Sequence, residues 1–246
     1  MMTSKEFVEI VKRIATDYKT LYIMGCFGGA MHDKNKERYS NNDKYNKQPE
    51  RTKMIQSASA DTFGFDCVGL IKGVLWGWNG NLEKNYGGAR YEANDVPDIG
   101  ANAMIKKCTN VSTDFVKVEI GEVVWKDGHI GVYIGGGLAV ECTPSWENKV
   151  QITSCNCDID GYNRRNWTKH GKLPYVEYPK ENELKVGDAV KLTPDAVHYT
   201  WGWKLPSAAY EKTMYVRTIN GKKITVSTHK EPAITAPVDI SHIITE

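Results

Sequence analysis

The chain has 246 residues, with 32 Lys and Arg against 30 Asp and Glu, a formal charge of +2, 41% hydrophobic and 25% charged residues. That balance suits one large or two modest globular domains and excludes disordered or collagen-like chains. The near-zero charge argues against nucleic acid, because duplex binding needs a concentrated cationic face.

In chain order, Glu6, Glu9, Lys12 and Arg13 break any apolar leader, so the protein is expected to accumulate in the cytoplasm. Thr3-Ser4-Lys5-Glu6 has the form of a capping box, and Phe7, Ile10, Val11, Ile14 and Tyr18 follow at helical spacing, which predicts an amphipathic helix over 4–18. Residues 32–53 carry seven Lys and Arg and almost no aliphatic side chain. This reads as an exposed basic loop, either simply solvated or a flap over a polyanion, within an insertion that reaches residue 60. Asp66 followed by Val68, Leu70, Ile71, Val74, Leu75 and Trp78 predicts a buried helix within 65–78, with Gly69, Gly73 and Gly77 giving it a smooth stripe for close packing. That apolar block and the one from Ile130 to Val140 are shorter than the roughly 20 residues a bilayer span needs, so no membrane insertion is expected.

From Val116 the pattern turns to short strands, Val116 to Ile120, Glu122 to Lys126, His129 to Ile134 and Leu138 to Cys142, in a small antiparallel sheet. A connector at 179–184 then leads to a second, all-β unit over 185–246, with Asn220-Gly221 as a hairpin signal. The fold class is therefore α+β over residues 1–178 with a small β barrel behind it. Trp201, Trp203, Tyr199 and Tyr215 of the barrel serve equally well as core or as stacking surfaces.

Six cysteines stand at 26, 67, 108, 142, 155 and 157, and free thiols are expected. Cys155 and Cys157 lack a second pair at zinc-ligand spacing, so neither metal nor cofactor is expected. Cys67 follows Asp66 at the start of a predicted helix, where free amides and the helix dipole favour a thiolate. A backbone amide there would also hold an oxyanion. His129 heads a strand whose Ile130, Val132 and Ile134 face the core, leaving His129, Gly131 and Tyr133 on the other face. A three-residue loop at Gly135–Gly137 puts Gly131 opposite Glu141, so Glu141 can reach and orient the imidazole across a space Gly131 leaves empty. A two-residue loop would shift that register. His32, His170, His198, His229 and His242 have no partner at such spacing, and solvent exposure is expected for each.

Four blocks, Leu21-Tyr22-Ile23-Met24-Gly25, Phe65-Asp66-Cys67-Val68-Gly69-Leu70, Ile120-Gly121-Glu122-Val123-Val124-Trp125 and Gly128-His129-Ile130-Gly131-Val132-Tyr133-Ile134-Gly135, resemble in order the motifs of the NlpC/P60 cysteine peptidases. The resemblance spans residues 5 to 178 and implies a papain-like fold that cleaves peptidoglycan stem peptides. By it, Cys67 is the nucleophile, His129 the base and Glu141 the third polar residue. Asp66 stands where relatives bind a free stem amine, and Tyr22 where a tyrosine lines the nucleophile pocket. The chain departs from the pattern at Val68, usually a serine, and in the basic insertion. Residues 185–246 resemble the bacterial SH3-like modules that tether lysins to cell walls. The resemblance implies a monomeric phage-type lysin with peptidoglycan as its partner. An N-acetylmuramoyl-L-alanine amidase using the same triad, or a catalytically silent wall-binding protein, are the alternatives.

Overall fold

In a computed structural model, which describes residues 1–179, 184–221, 223–229 and 235–245, the capping box at Thr3 starts helix α1 (Ser4–Asp17). Thr3 Oγ1 accepts from the Glu6 amide at 3.2 Å while the Glu6 carboxylate accepts from the Thr3 amide at 2.9 Å. The stripe Phe7, Val11 and Ile14 is fully buried, which supplies most of the driving force for a helix of this length. Strand β1 (Met2–Thr3) pairs in parallel with β12 (Val176–Glu177), so the start of this unit is stitched to its end. The chain divides into two compact units, Met1–Tyr178 and Pro179–Glu246, and the architecture mixes helices and sheets. Most of the predicted linker, residues 180–183, lies outside the described residues.

Strands β2 (Thr20–Tyr22), β3 (Phe27–Ala30) and β4 (Phe63–Phe65) make a three-stranded sheet in the order β2-β4-β3. The basic stretch between β3 and β4, expected as a loop, instead folds into α2 (Asp33–Asn41) and α3 (Pro49–Ser57). Lys, Glu and Arg are good helix formers, and Pro49 begins α3 where its missing N–H costs nothing. One large apolar anchor per helix suffices: Tyr39 and Ile55 bury against Ile23, Cys26 and Met31.

Helix α4 (Cys67–Leu75) follows β4 directly, with Asp66 as its N-cap. A Cβ at Gly69 would fall on the Cys26 carbonyl oxygen, and one at Gly73 would lie 2.5 Å from the Phe27 carbonyl oxygen, so both glycines let α4 rest on the backbone around β3. Gly77 is not part of that stripe. It lies beyond the helix at φ +90, with open space around it, and ends the helix in the left-handed conformation.

After α5 (Ala101–Lys107), strands β5 (Thr109–Ser112), β6 (Val123–Lys126), β7 (His129–Gly135), β8 (Leu138–Thr143), β9 (Lys149–Cys155), β10 (Arg164–Arg165) and β11 (Lys169–Lys172) form one sheet in the order β10-β9-β8-β7-β6-β11-β5. Neighbours are antiparallel except β10 with β9. The strand predicted at Val116 to Ile120 does not form. A 3₁₀ turn covers Phe115–Lys117, and Val116 and Ile120 are exposed, because no layer covers them there. Ile130, Val132, Val140, Cys142 and Val150 face α1 and α4 in the main core. The opposite face is closed by Val124, Ala139, Cys155 and Trp167.

In the second unit, β13 (Ala189–Leu192), β14 (Met214–Asn220), β15 (Lys223–Ser227), β16 (Thr235–Asp239) and β17 (Ile243–Thr245) form an antiparallel sheet in the order β16-β15-β14-β13-β17, with the short α6 (Ala208–Glu211) between β13 and β14. Its core is Val190, Leu192, Met214, Val216, Ile224, Val226 and Val238. A 3₁₀ turn at Ile240–His242 separates β16 from β17. Asn220 pairs with Lys223, and Gly221 occupies the turn at φ +56. Trp201 and Trp203, 62% and 57% exposed, lie outside this core. Among the described residues no helix is long and apolar enough to cross a membrane.

Candidate active site

Parallel pairing of β2 with β4 sets Tyr22 beside Phe65, immediately before the first turn of α4. Cys67 is the first residue of that helix and is 9% exposed. Strand β7 pairs with β8 from Val132 opposite Val140 toward the turn, and near its other end the Ile130 amide faces the Cys67 sulfur. Amides of Ile130, Val68 and Cys67 itself favour the thiolate, but burial and the Asp66 carboxylate outweigh them and push the thiol up to about 12. The expectation of a helix-stabilised thiolate is thus reversed: desolvation exceeds what one helix terminus supplies. At neutral pH the nucleophile rests as a thiol. Iodoacetamide labelling of Cys67 is therefore expected to accelerate steadily from pH 6 to 10, and a rate plateau at low pH, the mark of a thiolate–imidazolium pair, would refute this.

His129 and Glu141 meet directly, with Nε2 2.6 Å from Oε2. Val132 opposite Val140 places Gly131 across from Glu141, as the sequence register requires, although the turn is built differently. Gly135 pairs with Leu138 around Gly136 and Gly137, and a bulge near Ile134 absorbs the extra residue. The space over Gly131 is not empty. The Trp167 ring fills it, 3.1 Å from where a Cβ would stand, and stacks on His129 with centroids 5.4 Å apart and planes 8° from parallel.

Glu141 is completely buried and fully bonded. Thr153 Oγ1 donates to Oε1 at 2.7 Å, and Arg165 Nε lies 3.1 Å from both carboxylate oxygens. Burial pushes the Glu141 carboxyl up, but hydrogen bonds from His129 and Arg165 more than offset this and hold it below its ordinary value. An ionised carboxylate only accepts, so the His129 Nε2 carries the hydrogen of this bond and Nδ1 is the nitrogen left over for chemistry. Among the described residues no hydrogen bond joins Cys67 to His129; such pairs often tighten only with substrate bound.

Asp66 is committed as a cap, with Oδ1 accepting from Gly69 N at 2.5 Å and Oδ2 from Gly25 N at 2.8 Å. Burial raises its pKa, with partial relief from the Gly69 amide and Lys72. It also edges a cavity of about 470 Å³ shared with Arg38, Lys72, Tyr86, Tyr91 and Asp98. Tyr22 is buried, and burial together with the neighbouring Cys67 keeps its hydroxyl protonated. Its ring meets Tyr45 edge-on and lies under the Arg51 guanidinium.

No protein-family model matches the chain, and no curated protein is significantly similar to it.

Sequence reasoning missed Thr153, Arg165 and Trp167, which complete the surroundings of His129 and Glu141. Period-2 alternation does place Thr153 on the face of Glu141 once β9 is paired, but nothing local marks a two-residue strand at Arg164–Arg165. His170, expected at the surface, is instead buried, because β11 lies inside the sheet between β6 and β5. Its Nδ1 pairs with Glu122 and its Nε2 lies 3.0 Å from the Asp114 carbonyl oxygen. The six cysteines are free thiols, and no group of metal-ligating side chains is found among the described residues.

Proposed function

We propose that the first unit is a cysteine hydrolase of amide bonds in peptidoglycan stem peptides, of the NlpC/P60 kind, and that the second unit holds it to the cell wall. The observation that carries this is a cysteine at a helix N-terminus, facing the end of the strand whose histidine is held by a buried carboxylate. Two of the four sequence blocks that resemble the family contribute Cys67 and His129, and Glu141 follows on the next strand. As substrate binds, His129 Nδ1 takes the thiol proton while the Cys67 sulfur attacks the scissile carbonyl carbon. Backbone amides at the start of α4 receive the oxyanion. The imidazolium then protonates the leaving amine, a thioester remains on Cys67, and water activated by His129 hydrolyses it. Asp66 would meet a free stem amine and Tyr22 would wall the nucleophile.

For the second unit, support comes from the exposed rings of Trp201 and Trp203 around the half-buried His198, which stacks on Trp201 with centroids 4.2 Å apart. Such faces suit wall components. The protein would work as a monomer of endolysin type, reaching the wall from the cytoplasm through a membrane lesion.

Incubation with defined muropeptides followed by mass spectrometry tests the reading. A new terminus inside the stem is expected. An intact stem freed from muramic acid would instead make the protein an amidase, and recovery of all substrates uncut at high enzyme would overturn hydrolysis altogether.

A further inference from the structure

Arg165 does more than neutralise Glu141. Its side chain, 15% exposed, spends Nε on both carboxylate oxygens and Nη2 on Glu141 Oε2 at 2.9 Å and Thr143 Oγ1 at 3.2 Å. Nη1 has no hydrogen-bond partner among the described residues and is not sealed from solvent. The guanidinium is covered on one face by Trp146, 4.4 Å from its ring centroid. Trp146 is itself unusual: a bulky side chain, 46% exposed, on a backbone with φ +57. Left-handed backbone at a non-glycine residue is costly and concentrates where ligands are clamped. The product is a cation fixed on three sides, with one donor edge open next to an exposed aromatic ring. A planar guanidinium edge of this kind matches a carboxylate.

We infer that Arg165 and Trp146 form a subsite for a substrate carboxylate, borne on the leaving side of the cleaved bond. This rests on the hydrolase reading above. In that reading the acyl group is attached to Cys67 and the leaving amine takes its proton from His129, so the leaving segment lies on the imidazole's side of the scissile bond, the side on which Glu141 and Arg165 stand. The substrate class narrows accordingly to stem peptides whose leaving segment keeps a free acid, and amidated stems are poor substrates.

The test uses the full chain and synthetic stem tetrapeptides in which each free carboxylate is converted in turn to its amide. In the Cys67→Ala protein, calorimetry is expected to show one amidation weakening binding by about ten-fold or more, in the range of a lost charged hydrogen bond. In the wild type, the same amidation raises KM with kcat changed less than about three-fold, the pattern of lost ground-state binding. Arg165→Gln should bind the acid and amide peptides alike, whereas a purely structural Arg165 would weaken both and preserve their ratio. Because that variant also strips Glu141 of its partner, Trp146→Ala provides a second reading at an exposed position, and it should reduce the acid-to-amide preference while Glu141 stays paired. Equal wild-type affinity for every acid and amide pair overturns the subsite, even if all are cleaved. A clear preference in binding with no peptide cleaved keeps the subsite and overturns the hydrolase.

Discussion

Cys67→Ala is expected to lose muropeptide cleavage by about 10⁴-fold or more, the scale seen when a member of a catalytic triad is removed. The thiol stands at the start of α4 with the Ile130 amide facing it. Its loss should do little else. The side chain is small and edges the core, so losing Sγ costs about 1 kcal/mol of packing, and the second unit has its own core. Wall binding in a sedimentation assay should therefore match the wild type. An alanine variant that cleaves at the wild-type rate would end the cysteine mechanism. One that loses both cleavage and wall binding would point to misfolding, which a thermal melt separates.

The second large effect is at Glu141. Glu141→Ala leaves Arg165 and His129 without the buried carboxylate that both engage. Breaking a buried pair on one side costs about 3–5 kcal/mol, which for a domain of this size lowers the melting temperature by roughly 6–20 °C. Glu141→Gln keeps the shape and an acceptor oxygen but not the charge, so it should fold better than alanine while kcat drops by about 10²–10⁴-fold as the imidazole loses its fixed tautomer. A wild-type melting temperature in Glu141→Ala would show that the network is not what holds these strands together. The pH dependence has a definite sign. Because the carboxyl is held below its ordinary value in the folded state, its stabilisation is complete above the unfolded value of about 4.3–4.5 and is lost as the pH falls through the lower folded value. Acid unfolding that begins well above pH 5 would have to come from other groups.

How much of this was legible depends on the range of the signal. The capping box at Thr3 and the Asp66 cap are local, so α1 and the start of α4 could be read directly. The facing of His129 and Glu141 also follows from a short stretch, because a bulge near Ile134 compensates for the shorter Gly136-Gly137 turn and leaves the register unchanged. Helices α2 and α3 escaped because Tyr39 and Ile55 give each only one large apolar anchor, too few to show a period of 3.6. Arg165 and Trp167 were invisible for a different reason. They lie 24 and 26 residues beyond Glu141 in the chain, and only the sheet order β10-β9-β8-β7 brings them to it. The thiol's raised pKa was also beyond the sequence, since it depends on how deeply α4 is seated.

That seating has a consequence for how the protein can change over time. Gly69 and Gly73 bring α4 down onto the carbonyl oxygens of Cys26 and Phe27, so the height of the nucleophile is gauged against main chain rather than against deformable side chains. Core residues on the far side of the helix can drift among Val, Ile and Leu and be repacked at small cost without displacing Cys67. The two glycines cannot drift, because any side chain there would lift the helix and carry the sulfur with it. A lineage carrying this fold is thus free to rewrite much of its interior while remaining bound to two positions that have no side chain at all.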